Sequence, residues 1–172
     1  MKSHQHGFSK VEKIDIDLDS ITVVDYHPRY QPVFRALNLA WISNFFEVEE
    51  KDTQMLDYPE KQIIEPGGKI LIALYNEEPV GVGALVRMTN SEYDFELAKM
   101  AISSELQGKG IGWVLGQALV QAARELGARK IYLESNTKLK PALKLYRKLG
   151  FREIPVISSP YKRVDIQMEL IL

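Results

Sequence analysis

At 172 residues, 45% hydrophobic and 26% charged, the chain has the make-up of an ordinary globular protein long enough to bury one core. Its net charge of −1, without any Lys/Arg-rich run, offers no basic field for nucleic acid, and no apolar run approaches membrane-spanning length. The absence of cysteine removes disulfides, thiolate metal sites and cysteine nucleophiles; His4, His6 and His27 have no ligand spacing, so no metal is expected. The polar N-terminus holds no signal-like apolar core, and a cytoplasmic location is expected.

Residues 1–18 read as a polar lead-in and 19–172 as one domain. Within the lead-in, Ile14 to Asp19 alternates without a long apolar partner, as a frayed segment or a short edge strand would. Ile21 to Asp25 is a better first strand, ended by Tyr26-His27-Pro28. Val33, Phe34, Leu37, Ala40, Trp41 and Phe45 then recur at helical spacing, and Pro32 fits a first turn, where a missing N–H costs little. An acidic helical segment is predicted between Val48 and Leu56. Pro66-Gly67-Gly68 breaks the chain before Lys69 to Tyr75, and a short turn at Asn76-Glu77-Glu78 leads into Val80 to Val86, together a β-hairpin. Tyr93 to Ile102 is the next antiparallel strand.

A glycine-rich stretch follows, Gln107-Gly108-Lys109-Gly110-Ile111-Gly112. After it, Ile111, Val114, Leu115, Ala118, Leu119, Ala122 and Leu126 keep helical spacing up to a stop at Gly127. The glycines therefore occupy a strand-loop-helix junction. There they either cap a helix tightly or leave its N-terminal N–H groups clear for an anion such as a phosphate. Two nucleotide patterns fail on residues. A dinucleotide fingerprint would need glycine where Trp113 stands, and a P-loop needs Gly-Lys followed by Ser or Thr, whereas Gly110 follows Lys109 and Ile70 follows Lys69. Lys130 to Glu134 is predicted as a strand parallel to residues 95–101, because a helix crossover joins the two. Pro141 to Leu149 is an amphipathic helix capped at Gly150, and strands are predicted near Arg152–Ile154 and Arg163–Glu169. The pattern is a mixed α+β single sheet.

The hexamer resembles the acyl-CoA signature of the GCN5-related N-acetyltransferases, Gln/Arg-x-x-Gly-x-Gly/Ala. The resemblance extends over residues 69–170, in which Leu145-Tyr146-Arg147-Lys148-Leu149-Gly150-Phe151 matches a second family feature, Leu-Tyr-x-x-x-Gly-Phe. It implies one α+β domain with a mostly antiparallel sheet of six to seven strands, flanked by about four helices. One parallel pair in that sheet splays to admit acyl-CoA. It also implies an N-acetyltransferase that moves an acetyl group from acetyl-CoA to a primary amine by direct attack in a ternary complex. A small amine or amino acid is the expected acceptor, with a protein N-terminus or lysine second. A non-catalytic acyl-CoA sensor on the same fold is the alternative, and relatives are often homodimers.

By the same resemblance, backbone groups of Met100, Ala101 and Ile102 bond the pantetheine arm, with an N–H near Met100 aimed at the thioester oxygen. The turn from Gln107 through Gly108, Lys109, Gly110, Ile111 and Gly112 to Trp113 holds the pyrophosphate. Glu96 matches the general base of the histone acetyltransferase branch, with Glu92 and Tyr93 as substitutes, and Tyr146 the tyrosine that protonates the leaving thiolate. Two positions depart from the pattern. Leu139 stands where many relatives carry an asparagine for the pantetheine arm, so Asn136 either takes that bond or caps the helix. Trp113 follows the glycine loop where a small or basic residue is usual; Lys138, Lys140 and Lys144 offer charge nearby. The acceptor side is assigned to residues 1–65. There Glu47, Glu49, Glu50, Asp52, Asp57 and Glu60 outnumber Lys51 and Lys61, and Trp41, Phe45, Phe46 and Tyr58 line a pocket or fill the core.

Overall fold

A computed structural model describes residues 15–172; the readings placed on Ile14 and on the N-terminal histidines lie outside the described residues. Among the described residues, seven strands form one open sheet in the order β1-β2-β3-β4-β5-β7-β6. They are β1 (Ile21–Asp25), β2 (Lys69–Tyr75), β3 (Glu78–Arg87), β4 (Phe95–Ile102), β5 (Lys130–Ser135), β6 (Arg152–Ile154) and β7 (Ile166–Ile171). Every pairing is antiparallel except β4 with β5, joined through the helix crossover. Four α-helices among the described residues accompany the sheet: α1 (Gln31–Phe45), α2 (Glu50–Asp57), α3 (Ile111–Glu125) and α4 (Lys140–Leu149).

The two sheet faces carry separate cores. On one, α3 buries Ile111, Leu115, Leu119 and Ala123 against Leu71, Leu85, Leu97 and Leu133. Each such leucine contributes about 1.5–3 kcal/mol on leaving water. On the other, Phe34 of α1 and Leu56 of α2 pack on Ile70, Ile72, Val82 and Ala84. Alternation along β2 supplies both layers, with Leu71 and Ala73 pointing one way and Ile70 and Ile72 the other.

Local chemistry explains the helix ends. Glu49 and Asp52 form a capping box at the start of α2, each carboxylate accepting from the other's backbone N–H. Gly150 closes α4 at φ 103°, and the Phe151 N–H donates to the Tyr146 carbonyl 3.0 Å away. Leu18–Ser20 is a 3₁₀ turn, not an edge strand, yet Ile16 is buried in the α3-side core. Glu60–Ile64 forms a π-helical turn that hydrophobic spacing did not indicate. The last strand starts at Ile166, three residues beyond the predicted Arg163, because Arg163 is used elsewhere.

Candidate active site

The site begins with an opening in the sheet. β4 and β5 pair only at Phe95↔Ile131 and Glu96↔Tyr132, after which the strands part. Beside the fork, Ala98 and Ala101 of β4 face Ala84 and Val82 of β3, so three steps on one strand match two on the other. The extra residue lies at Lys99, whose φ of 52° puts a non-glycine residue in the left-handed region. Such a bulge bends its strand and re-aims side chains. Here it brings Lys99 to the same cavity as Glu96, despite their spacing along the strand. Beyond Glu96, the β5-facing edge of β4 has no strand partner among the described residues.

The glycine turn stands at the end of that free edge. Gly108 and Gly110 have φ of 75° and 91°. A Cβ on Gly110 would meet a Leu18 methyl at 2.9 Å, whereas one on Gly108 would meet nothing within 4 Å. Gln107 closes the turn by donating from Nε2 to the Ile102 carbonyl at 3.2 Å. The Val114 N–H donates to the Gly110 carbonyl at 3.2 Å, so the N–H groups of Ile111, Gly112 and Trp113 precede the first intrahelical bond. A cleft runs along these groups. Met100, Ala101, Ile102, Gln107, Gly108, Gly110, Ile111, Gly112 and Trp113 line it on one side, and Pro141, Lys144, Leu145, Tyr146 and Lys148 of α4 on the other. Lys109 does not line it. Lys148 places its ammonium 4.1 Å over the Trp113 ring, so the aromatic residue after the glycine loop carries a cation at the cleft wall after all.

A second cavity adjoins the first, and Trp41, Met100 and Tyr146 line both. Its wall combines Asn38 and Ile42 of α1, Phe46 just past its end, Lys51 and Met55 of α2, Glu96 and Lys99 of β4, Glu134 of β5, and Tyr161 and Arg163 of the β6–β7 loop. Burial, reinforced by the Glu134 carboxylate, pushes the Glu96 carboxyl up to about 7 against the opposing charges of Lys99 and Lys51. Tyr146 meets Phe151 edge-on at 6.2 Å, and burial pushes its phenol up to about 12. It therefore remains a proton donor throughout the neutral range.

Asp52 anchors the rear of this cavity. Its side chain is 0% exposed and takes two bonds from Arg163 at 2.7 and 2.8 Å and one from Lys99 Nζ at 2.7 Å. Burial alone would push this carboxyl up, but the Arg163 hydrogen bonds and the Lys99 charge outweigh it and hold it at about 2. Lys99 also donates to the Tyr161 hydroxyl at 3.2 Å, and Arg163 reaches Glu49 at 3.2 Å. Burial pushes the Lys99 ammonium down, and Asp52 opposes that.

Several expected residues are engaged elsewhere. Glu92 pairs with Lys130 and the Tyr93 hydroxyl with Glu169, and neither residue lines either cavity. Asn136 lines the second cavity; its amide donates to the Arg163 carbonyl at 2.7 Å and accepts from the Lys138 N–H at 2.9 Å. That is an Asx turn two residues ahead of α4, whose N-cap is Leu139. Four of the six acidic residues around α2 are also engaged: Asp52 and Glu49 with the cations above, Asp57 with Arg35, and Glu60 with the Tyr26 hydroxyl, while Glu47 and Glu50 are exposed. No acidic residue of that segment lines the cavity, whereas Lys51 does. Trp41 and Phe46 line it, while Phe45 and Tyr58 face solvent at 47% and 62% exposure. Lys99, Arg163 and Tyr161 escaped the sequence reading, since three separated polar residues carry no spacing signal.

Comparison with known proteins places this arrangement. The acetyltransferase (GNAT) family model matches residues 33–151. Among curated relatives, the uncharacterized N-acetyltransferase YjgM of Escherichia coli (strain K12) is 34% identical over 62% of this chain and 65% of its own length. An N-alpha-acetyltransferase of Sulfurisphaera tokodaii is 36% identical over 38% of this chain and 40% of its own, and the N-acetylaspartate synthetase of Xenopus tropicalis 30% identical over 61% and 38%. The chain thus spans less than two thirds of the relatives it matches. A GNAT-family acetyltransferase of Staphylococcus aureus Mu50 superposes with a TM-score of 0.75 at 23% identity, covering 87% of this chain and 97% of that one. The spermidine N-acetyltransferase of Vibrio cholerae, in complex with CoA and spermine, superposes at 0.68 with 21% identity over 89% and 96%. With a family model that covers most of its length and a forked sheet beside a glycine turn, the chain belongs to the acetyltransferase (GNAT) family.

Proposed function

We propose that the protein is an acetyl-CoA-dependent N-acetyltransferase that acts on the primary amine of a small molecule. The observation that carries this reading is the meeting of two cavities at Met100 and Tyr146, the glycine turn beside one and Glu96 on the wall of the other. The residues present fit acetyl-CoA. The free edge of β4 offers main-chain donors and acceptors for an amide-bearing arm, and the side-chain-free turn at Gly108 offers helix N-terminal N–H groups for a pyrophosphate. Acetyl-CoA supplies the activated acyl group as a thioester.

The residues then divide the proton traffic. An alkylammonium with a pKa near ~10 must lose a proton to attack, and a carboxylate titrating at about 7 is suited to accept it. The N–C bond forms as the C–S bond breaks, and Tyr146 supplies a proton to the departing sulfur. Main-chain N–H groups near Met100 stabilise the charge that develops on the carbonyl oxygen. Asn136, whose amide is already held by Arg163 and Lys138, is left with one N–H for the pantetheine arm.

Thermal unfolding with acetyl-CoA, CoA or NADH, followed by thiol release with an amine panel, tests the reading. Both CoA species are expected to raise the midpoint and NADH to leave it unchanged; at a hundredfold excess over Kd the gain is about 2.7 kcal/mol. Glu96→Gln and Tyr146→Phe are each expected to lower kcat about 10²-fold or more. Binding without turnover by any amine or peptide would favour a sensor and remove the enzyme.

A further inference from the structure

We infer that the acceptor is an amine that also carries a carboxylate, an amino acid and not a polyamine. This rests on the function proposed above and deepens it. The second cavity is bipolar. Two carboxylates, Glu96 and Glu134, have no ion-pair partner among the described residues, and three cationic side chains, Lys51, Lys99 and Arg163, line the same space.

Donor accounting gives the cations their role. Lys99 spends two of its three N–H bonds on Asp52 and Tyr161, and Arg163 spends three of its five on Asp52 and Glu49. One N–H of Lys99 and two of Arg163 remain beyond these bonds. Asp52 and Glu49 line neither cavity, so the anions that balance this pair stand behind it. Lys51 is exposed, stands 5.7 Å over the Tyr161 ring and forms no ion pair among the described residues.

The other carboxylate on the wall is engaged by neutral donors. Glu134 already accepts from the Tyr132 hydroxyl at 2.9 Å and the Ser159 hydroxyl at 2.7 Å. Lys138 adds further positive charge, 5.5 Å over the ring of Phe46. Glu96 is therefore the wall carboxylate that accepts no hydrogen bond among the described residues, and Lys51, Lys99 and Arg163 line the same space. A diamine would bring its second charge to those cations unpaired; a carboxylate there gains charge-assisted hydrogen bonds.

The test compares matched acceptors by thiol release: alanine with alaninamide, lysine with cadaverine, glutamate with its α-amide, and spermidine. Glutamate against glutamine separates side-chain from α-carboxylate recognition. The carboxylate member of each α-carboxylate pair is expected to have at least tenfold higher kcat/KM. Lys51→Ala should narrow that ratio about fivefold, mainly through KM for the acid, and Lys51→Glu should narrow it further. Lys51 is exposed, so these variants test recognition without emptying the core. Equal or better turnover of alaninamide, cadaverine or spermidine would overturn the inference and leave the acetyltransferase intact. No turnover of any acceptor would overturn it too; calorimetric binding of acetyl-CoA to the same preparation would then show whether the CoA site stands.

Discussion

As the proposed base, Glu96 would couple rate to stability in a single residue. Its carboxyl titrates at about 7 in the fold against an ordinary 4.5, so the folded state holds its proton more tightly than the unfolded chain does. Its charged form therefore costs stability. The penalty is absent below pH 4.5, grows as pH rises and is complete above 7, at most about 3 kcal/mol. Glu96→Gln is expected to unfold at a higher temperature than the parent at pH 8 and at nearly the same one at pH 4.5. In the parent, kcat/KM should rise with pH through an apparent pKa near 7, and Glu96→Gln should flatten that limb. An unchanged pH profile in the variant would transfer the base role to water. The identity of Glu96 was legible in the strand that precedes the glycine turn. Its elevated pKa was not, because it comes first from burial in the folded cavity and then from Glu134, which arrives on the neighbouring strand through a pairing that ends within two residues.

Among the elements, the glycine turn and the β4 bulge differ in what the sequence disclosed. The turn was readable because positive φ at Gly108 and Gly110 calls for glycine, and two glycines in a short span are conspicuous. The bulge has no local signal and is expected only through the family resemblance: Lys99 adopts a left-handed conformation at a cost of about 1–2 kcal/mol, and its ammonium is held by Asp52, 47 residues earlier. Strand and helix positions followed from periodicity, whereas the start of β7 slipped because Arg163 leaves the sheet to reach Asp52. Gly110→Ala and Gly127→Ala separate conformation from site. Both residues have positive φ, and each substitution should cost about 1 kcal/mol on that account. Only at Gly110 does the new methyl meet a neighbour within 4 Å, and only there should acetyl-CoA affinity fall, by more than tenfold in calorimetry. Equal affinity in the two variants would detach the turn from the cofactor.

In the whole molecule, Asp52 joins what the chain keeps far apart. From α2 it holds Lys99 of the central sheet and Arg163 of the β6–β7 loop. Asp52→Asn would leave two cations short of a counter-charge, and urea unfolding at pH 7 should show a loss of about 3–5 kcal/mol. In the parent, the stability that Asp52 contributes is present above pH 3.8 and is lost as pH falls toward about 2, a descent the variant should lack. The acidic character of the 47–60 region was legible; its targets were not, since long-range pairing leaves no local pattern. The two cavities also differ in how they are written along the chain. Apart from Trp41, the glycine-turn cleft draws on residues 100–148 alone, while the adjoining cavity needs residues from 38–55 and from 161–164 together. A change of acceptor by segment exchange must therefore move both distant segments as a matched set, because either one grafted alone would present Asp52 or Arg163 to a stranger. The cleft residues from 100 to 148 can stay in place during such an exchange, so on the proposed assignment cofactor handling is inherited unchanged while the acceptor is rewritten around it.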